Sequence, residues 1–347
     1  MRRIDVWVVG LGTVGRWLLR RLGPEGDAPL SRHGLAARVV GAGNARDGFV
    51  HRSDGLDTGL LLELLDAGRP ISEHPGAERW GDSLDGLAAT RADVLAEVSA
   101  SPRSDGEPGA AHMREALGRG IPVVTSNKWP VALHGVELSE LAATQGTAFR
   151  AESTVMSGTP VLSTLSDGVA GATVTAVRGV LSATVNFILS RMAEGDRYDE
   201  ALARAQRAGL AERDPAADVD GHDETAKAMI LAGLVFGSQL RPGDVACTSL
   251  GELDPGEVEA VAGGGARLRS VTSIERGTDG ASLTARVRPE GLQRDDPLWG
   301  VDGSENAVVC SADPIGKVTV TGPGAGPALA GQGVLSDLIV VATRGRA

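Results

Sequence analysis

A carboxylate and an ammonium four residues apart mark the most chemically pointed stretch of this chain. Asp223 and Lys227 stand in GHDETAKAMILAGLVFG, residues 221–237. On a helix that spacing puts them on one face, with the acid on the N-terminal side. An exposed pair of this kind contributes only about 0.2–0.5 kcal/mol. Here, however, residues 228–236 are apolar on every side, the pattern of a buried helix. An ammonium at the mouth of a buried segment, held by a carboxylate one turn earlier, is placed as an oriented general acid or base. Composition points the same way. Of 34 basic residues only Lys128, Lys227 and Lys317 are lysines. Arg serves wherever a generic positive charge will do, so a retained Lys points to a place that needs a compact, titratable group. Four more acids, Glu212, Asp214, Asp218 and Asp220, lie just upstream.

A second motif stands at the start. Ile4–Val9 is a short β-rich run that leads into Gly10-Leu11-Gly12-Thr13-Val14-Gly15 and then an apolar helical pattern at Trp17-Leu18-Leu19. Strand, Gly-rich turn and helix in this order suit a dinucleotide: the first Gly makes the turn, the second admits a pyrophosphate, and the third lets helix pack on strand. Gly10, Gly12, Thr13, Val14 and Gly15 are therefore candidate cofactor contacts. The next strand, Ala37–Ala42, should end on the group that meets the adenosine ribose, where an acid favours NAD. Asn44 and Arg46 stand there instead, which leans the reading toward NADP, although Asp47 follows.

Those motifs need a scaffold. Strand-like runs recur at Val94–Val98 and Ile121–Thr125, with a helical stretch over Ala110–Leu117 between them. This βαβαβ alternation predicts a doubly wound parallel sheet, with ligands beyond the carboxyl ends of its strands. The loops Ser99–Pro108 and Ser126–Lys128 fall at those ends, so Ser99 and Lys128 join the candidates. From Ala148 the pattern changes. A polar connector, Glu152–Pro160, precedes a strand near Val174–Leu181, helices at Val185–Met192 and Tyr198–Ala208, and short strands over 256–320. Gly322–Gly326 then leads to a final helix over Leu329–Val341.

Composition excludes several classes. A net charge of -11 argues against a nucleic-acid or anionic-membrane surface. Two cysteines, Cys247 and Cys310, make neither a disulfide framework nor a CxxC site, and suit a reducing cytoplasm. The longest apolar run, near 228–237, is about half a membrane span. Six scattered His show no zinc-protease spacing, and no GxSxG elbow is present.

From residue 4 to about 341 the chain resembles the short form of homoserine dehydrogenase. GLGTVG is similar to that family's dinucleotide turn, VVTSNK to its VVTANK segment, ESTVMSGTP to its EATVGAGLP loop, and GPGAG with the following Asp-Leu to its C-terminal segment. Glu212, Asp223 and Lys227 match its acidic catalytic pattern. The resemblance implies a Rossmann-like doubly wound nucleotide-binding domain from residues 1–133 plus 322–347. An α/β domain with an open mixed sheet, residues 134–321, would serve catalysis and homodimerisation. It also implies reversible hydride transfer between NAD(P)H and L-aspartate 4-semialdehyde to give L-homoserine, a step toward threonine and methionine.

Within that resemblance Lys227 is the acid–base group, Asp223 orients it, and Lys128 lies beside the nicotinamide. Glu212, Asp218 and Thr184 face the substrate, and Gly326 meets the cofactor. Glu152, Val155, Ser157 and Thr159 belong to a loop that binds a monovalent cation, usually sodium. With 347 residues, no ACT regulatory domain is expected. Several positions depart from the family pattern. Ser182-Ala183-Thr184 replaces Asn-Gly-Thr, Leu210 replaces a Tyr, and Trp129 and Met156 replace glycines. These changes keep a second reading open, a relative acting on a different small amino-acid aldehyde or alcohol. A third reading is a dinucleotide-binding regulator without catalysis, which the retained lysines oppose.

Overall fold

Alternation along the first strand sets the architecture of the N-terminal part. In β1 (Arg2–Val9), Ile4, Val6 and Val8 enter one core and Trp7 and Val9 another. Side chains of a strand point alternately to opposite faces, so this sheet is covered on both. The computed structural model describes residues 1–23, 26, 28–208, 210–211, 219–250, 256, 261, 265–303 and 305–344.

The elements after β1 run α1 (Thr13–Leu22), α2 (Ala28–Ser31), β2 (Leu35–Asn44), β3 (Gly48–His51), α3 (Thr58–Asp66), β4 (Glu78–Trp80) and α4 (Ser83–Ala89). They continue with β5 (Val94–Glu97), α5 (Gly109–Gly118), β6 (Val123–Thr125), α6 (Lys128–Thr144), β7 (Phe149–Arg150) and α7 (Ser153–Met156). The sheet has the order β4-β3-β2-β1-β5-β6-β7. Its centre, β2-β1-β5-β6-β7, is parallel, as the βαβ alternation predicts. The outer strands β3 and β4 are antiparallel additions that the sequence pattern did not reveal. One face carries α1 and the C-terminal helix Pro327–Arg344, whose Val334, Leu335 and Leu338 join Ile4, Val6 and Val8. The other carries Leu87, Met113, Leu117 and Leu138 from α4, α5 and α6.

The second unit holds β8 (Thr173–Val180), α8 (Ala183–Ala193), α9 (Tyr198–Arg207), α10 (His222–Phe236), β9 (Val245–Cys247), β10 (Arg267–Arg276), β11 (Leu283–Leu292), β12 (Glu305–Asp313) and β13 (Gly316–Pro323). Its sheet order is β13-β12-β8-β10-β11-β9, antiparallel except for the β11–β9 pair. The strands after β9 are not the short runs expected. Eight to ten residues each, they pair as two hairpins. Along α10 every residue from Glu224 to Gly233 is buried, as the all-round apolar pattern requires. Among the described residues no helix is long and apolar enough to cross a membrane.

The division of the chain differs from the expected 1–133 and 134–321. Compact units comprise Met1–Gly158 with Gly326–Ala347, and Thr159–Ala325. Residue 133 lies inside α6, whose Leu138 and Ala142 fill the first unit's core, and β7 extends that unit's sheet. At the far end β13 runs to Pro323, so residue 322 still belongs to the second sheet.

One buried ion pair ties the C-terminal helix to the strand end beside it. Arg150 Nε lies 2.7 Å from Asp337 Oδ1, and the Glu152 amide donates to Asp337 Oδ2 at 2.9 Å. Burial pushes the Asp337 carboxyl up to about 6, with Arg150 and the Glu152 amide pulling it down. The folded carboxyl thus binds its proton more tightly than the unfolded one, whose value is 3.8. Its contribution to stability is complete below that value and is lost as pH rises through 6. Asp337→Asn cannot titrate. The stability difference between the parent and this variant should move in the parent's favour by up to about 3 kcal/mol as pH falls from about 7 to about 4. Urea unfolding at several pH values measures it, and a constant difference would mean an ordinary carboxylate.

Candidate functional site

In the first unit the carboxyl ends of the parallel strands gather the predicted cofactor residues. Gly10, with φ +101°, ends β1 so close to β5 that a Cβ would sit 2.3 Å from the Ser99 amide nitrogen. At Gly15 a Cβ would lie 1.9 Å from the Gly10 carbonyl oxygen. Strand, turn and helix therefore close only with glycine at both positions. A Cβ on Gly12, by contrast, would meet nothing within 4 Å. Gly12 caps α1 with no side-chain hydrogen bond, so the first amides of the helix, at Thr13 and Val14, are open to an anion.

β2 runs two residues past the strand end expected at Ala42, so Asn44 is its last residue. Its Oδ1 accepts from the amides of Arg46 at 2.9 Å and Asp47 at 2.6 Å, and its Nδ2 donates to Asp47 Oδ2 at 3.0 Å. Arg46 grips Asp47 in two bonds of 2.8 and 3.0 Å while its side chain stays 59% exposed. This pairing holds the Asp47 carboxyl below its usual range. The predicted Arg46 is thus half of an ion pair with Asp47 in the loop after β2.

The loops after β5 and β6 are joined by a residue that sequence reasoning passed over. Glu97 is fully buried. It accepts from the Ser99 hydroxyl and, at 3.0 Å, from Asn127 Nδ2, which also reaches the Ser101 hydroxyl at 2.8 Å. Thr125 Oγ1 donates to the Glu97 carbonyl at 2.7 Å and accepts from the Asn127 amide at 2.9 Å. Asn127 caps α6, so this network fixes where Lys128 starts its helix. A Glu closing an otherwise apolar strand, VLAE, was the available signal.

The Glu152–Pro160 segment, a polar connector by its sequence, is largely buried. Glu152 through Ser157 are buried, with Met156 0% exposed, and Ser153–Met156 forms a helical turn. The Ser153 hydroxyl donates to the Ala330 carbonyl at 2.6 Å, and Ser157 adopts φ +52°. Val155 is buried in the same turn, and Gly326 precedes the C-terminal helix with φ +130°.

In the second unit Lys227 is 6% exposed. Its Nζ lies 2.8 Å from Asp223 Oδ2 and 2.6 Å from the Leu181 carbonyl oxygen. Leu181 sits where β8 gives way to α8, and Ser182 caps that helix by accepting from the Val185 amide. Thr184 donates its hydroxyl to the Leu210 carbonyl at 2.7 Å. Leu210 itself packs against the apolar core between α8 and α9. Glu224, beside Asp223, is buried and accepts from the Ser270 hydroxyl at 2.9 and 3.0 Å, a pairing that spacing alone did not suggest. Thr159 donates its hydroxyl to the Pro323 carbonyl at 3.0 Å. Glu212, Asp214 and Asp218 lie outside the described residues.

Comparison with known proteins follows this geometry. The family model for homoserine dehydrogenase matches residues 160–339. A relative from Pseudomonas canavaninivorans, named an NAD(+)-dependent homoserine dehydrogenase, is 37% identical over 98% of this chain and 96% of its own length. A homoserine dehydrogenase from Methanocaldococcus jannaschii is 32% identical over 97% and 98%. Among solved structures, a hyperthermophilic archaeal homoserine dehydrogenase in complex with NADPH superposes with a TM-score of 0.80 at 30% identity, covering 98% of both chains. A glycine turn that leaves helix amides open, a buried lysine on an apolar helix, and relatives matched nearly end to end agree: the chain belongs to the homoserine dehydrogenase family.

Proposed function

We propose that the chain interconverts L-homoserine and L-aspartate 4-semialdehyde with a nicotinamide dinucleotide, as a homodimer. The observation that carries this reading is the buried Lys227 ammonium, held between Asp223 and the Leu181 carbonyl. A dinucleotide held by the Thr13 and Val14 amides at the N-terminus of α1 would supply or accept the hydride. Reduction leaves negative charge on the substrate oxygen; Lys227 stabilises it and donates the proton. In oxidation the same nitrogen, entering neutral, removes the hydroxyl proton. Asp223 and Leu181 take two N–H directions and leave the third for the substrate. By the family resemblance Glu212, Asp218 and Thr184 would face the substrate's ammonium and hydroxyl region, and Lys128 would add positive charge near the cofactor. Glu152, Val155 and Ser157 suit a sodium ion: a buried carboxylate and a turned backbone offer hard oxygen donors. Such an ion would balance charge and take no part in the reaction.

Lys227→Ala should lower kcat by roughly 10²–10⁴-fold with cofactor affinity nearly unchanged. Lys227→Arg should fail almost as badly, because guanidinium keeps its proton. Near-normal turnover in either variant, followed by absorbance of the reduced cofactor, would sink the mechanism.

Asn44 in place of an acid, with the exposed Arg46 guanidinium beside it, supports use of NADPH at least as well as NADH. Arg46→Ala should then raise KM for NADPH several-fold and leave NADH little changed. Asp47→Asn, which frees the guanidinium, should shift the balance further toward NADPH. Equal losses for both cofactors would remove Arg46 from the site.

Leu210 favours a second reading, a related amino alcohol as substrate, since an apolar side chain stands where the family has a hydroxyl. The combined change Ala183→Gly and Leu210→Tyr tests it. A higher kcat/KM for homoserine supports a homoserine site altered at its rim; no gain, in a parent inactive on homoserine, supports the other substrate.

A further inference from the structure

We infer that Asn306 is a positioning residue for Lys227, acting through the Leu181 carbonyl; this rests on Lys227 being the acid–base group. In the second sheet Ala307 of β12 pairs with Val180 of β8, so Asn306 lies one residue further on, opposite Leu181. Its Nδ2 donates to the Leu181 carbonyl oxygen at 3.0 Å. Lys227 Nζ donates to the same oxygen at 2.6 Å. A carbonyl oxygen has two lone pairs, and these two donors occupy both.

The rest of the Asn306 side chain argues that this bond is its purpose. Asn306 is 1% exposed, and its Oδ1 has no hydrogen-bond partner among the described residues. An orphaned buried acceptor costs stability, and an apolar residue would avoid that cost. Asn306 is therefore a poor choice for holding the sheet together and a good one for holding a single oxygen. Turned over, the amide would set Oδ1 against the Leu181 oxygen, so only one orientation serves. Gly324 packs on it so closely that a Cβ there would lie 2.1 Å from Nδ2. The amide is thereby wedged in place.

For Lys227 the consequence is a fixed second acceptor. Asp223 lies one turn away on the same helix and alone would let the ammonium swing on its flexible stem. The Leu181 oxygen comes from a different element and, pinned by Asn306, defines where the remaining N–H points.

The test compares Asn306→Ala, Asn306→Asp and Gly324→Ala with the parent. In the two Asn306 variants kcat should fall roughly 10- to 100-fold, the scale of a misdirected catalytic group, with cofactor KM within about two-fold. The isotope effect on kcat, measured with homoserine deuterated at the hydroxyl-bearing carbon, should rise as the chemical step slows. Asn306→Asp keeps the volume but removes the donor, so it should lose at least as much as Asn306→Ala. A packing role predicts the reverse order. Gly324→Ala keeps Asn306 but displaces its amide, and should lower kcat in the same way even if the Asn306 variants fold poorly.

A second readout needs no turnover. With only three lysines in the chain, side-chain carbon labelling of lysine gives three resonances, and Lys227→Arg identifies one of them. Asn306→Ala should shift the Lys227 signal and leave those of Lys128 and Lys317 in place. A parent inactive on homoserine would count against the proposed activity while this measurement still stood. Parent-like kcat, or an unmoved Lys227 resonance, would overturn the inference.

Discussion

The second unit holds a lysine ammonium out of water, and several of its elements meet around it. An isolated charge in an apolar interior is prohibitive, so the fold must deliver acceptors to Lys227 from fixed directions. Asp223 is delivered by helical spacing alone. The Leu181 carbonyl requires β8 to end at one place and α8 to begin just after it, which the Ser182 cap and the Asn186 amide bond to Ser182 enforce. The long hairpins serve the same end, since β10 gives the Ser270 hydroxyl to Glu224 and the Ser270 amide to Asn186. Polar groups of several elements thus converge beneath the first turns of α8 and α10.

The first unit solves the opposite problem. It must leave backbone donors unsatisfied where an anion is to bind, and satisfy everything behind them. Open amides at the start of α1 are affordable because Gly10 and Gly15 let the turn close against β5. Behind that edge, both Glu97 carboxylate oxygens receive donors from the two neighbouring loops. A fully satisfied buried network is rigid, so the cofactor edge rests on a stiff polar floor.

Much of this was legible in the sequence, for identifiable reasons. The glycine turn, the Asp223–Lys227 pair and the all-apolar α10 are local patterns, and the structure shows a tight turn, a 2.8 Å pair and a buried helix there. The resemblance to homoserine dehydrogenases was legible too, because it rests on five separate segments. What escaped was set by tertiary pairing. The strands β3 and β4 are three or four residues long, too short to show periodicity. Glu97 and Asn306 look like ordinary polar residues until their strands are placed next to others. The polar connector after Ala151 gave no sign of its burial, because the Ala330 carbonyl that takes the Ser153 hydroxyl lies far along the chain. The boundary near 133 failed because a helix ran through it.

That helix carries a consequence for the chain during synthesis. Val334, Leu335 and Leu338 complete the apolar face formed by Ile4, Val6 and Val8, and Asp337 is the partner of Arg150. A polypeptide emerging N-terminus first presents the nucleotide-binding sheet with one face unfinished until more than 160 further residues have been made. The second unit, contiguous from Thr159 to Ala325, has no such wait. In chain order, therefore, all residues of the later unit are made before the earlier unit has its full set.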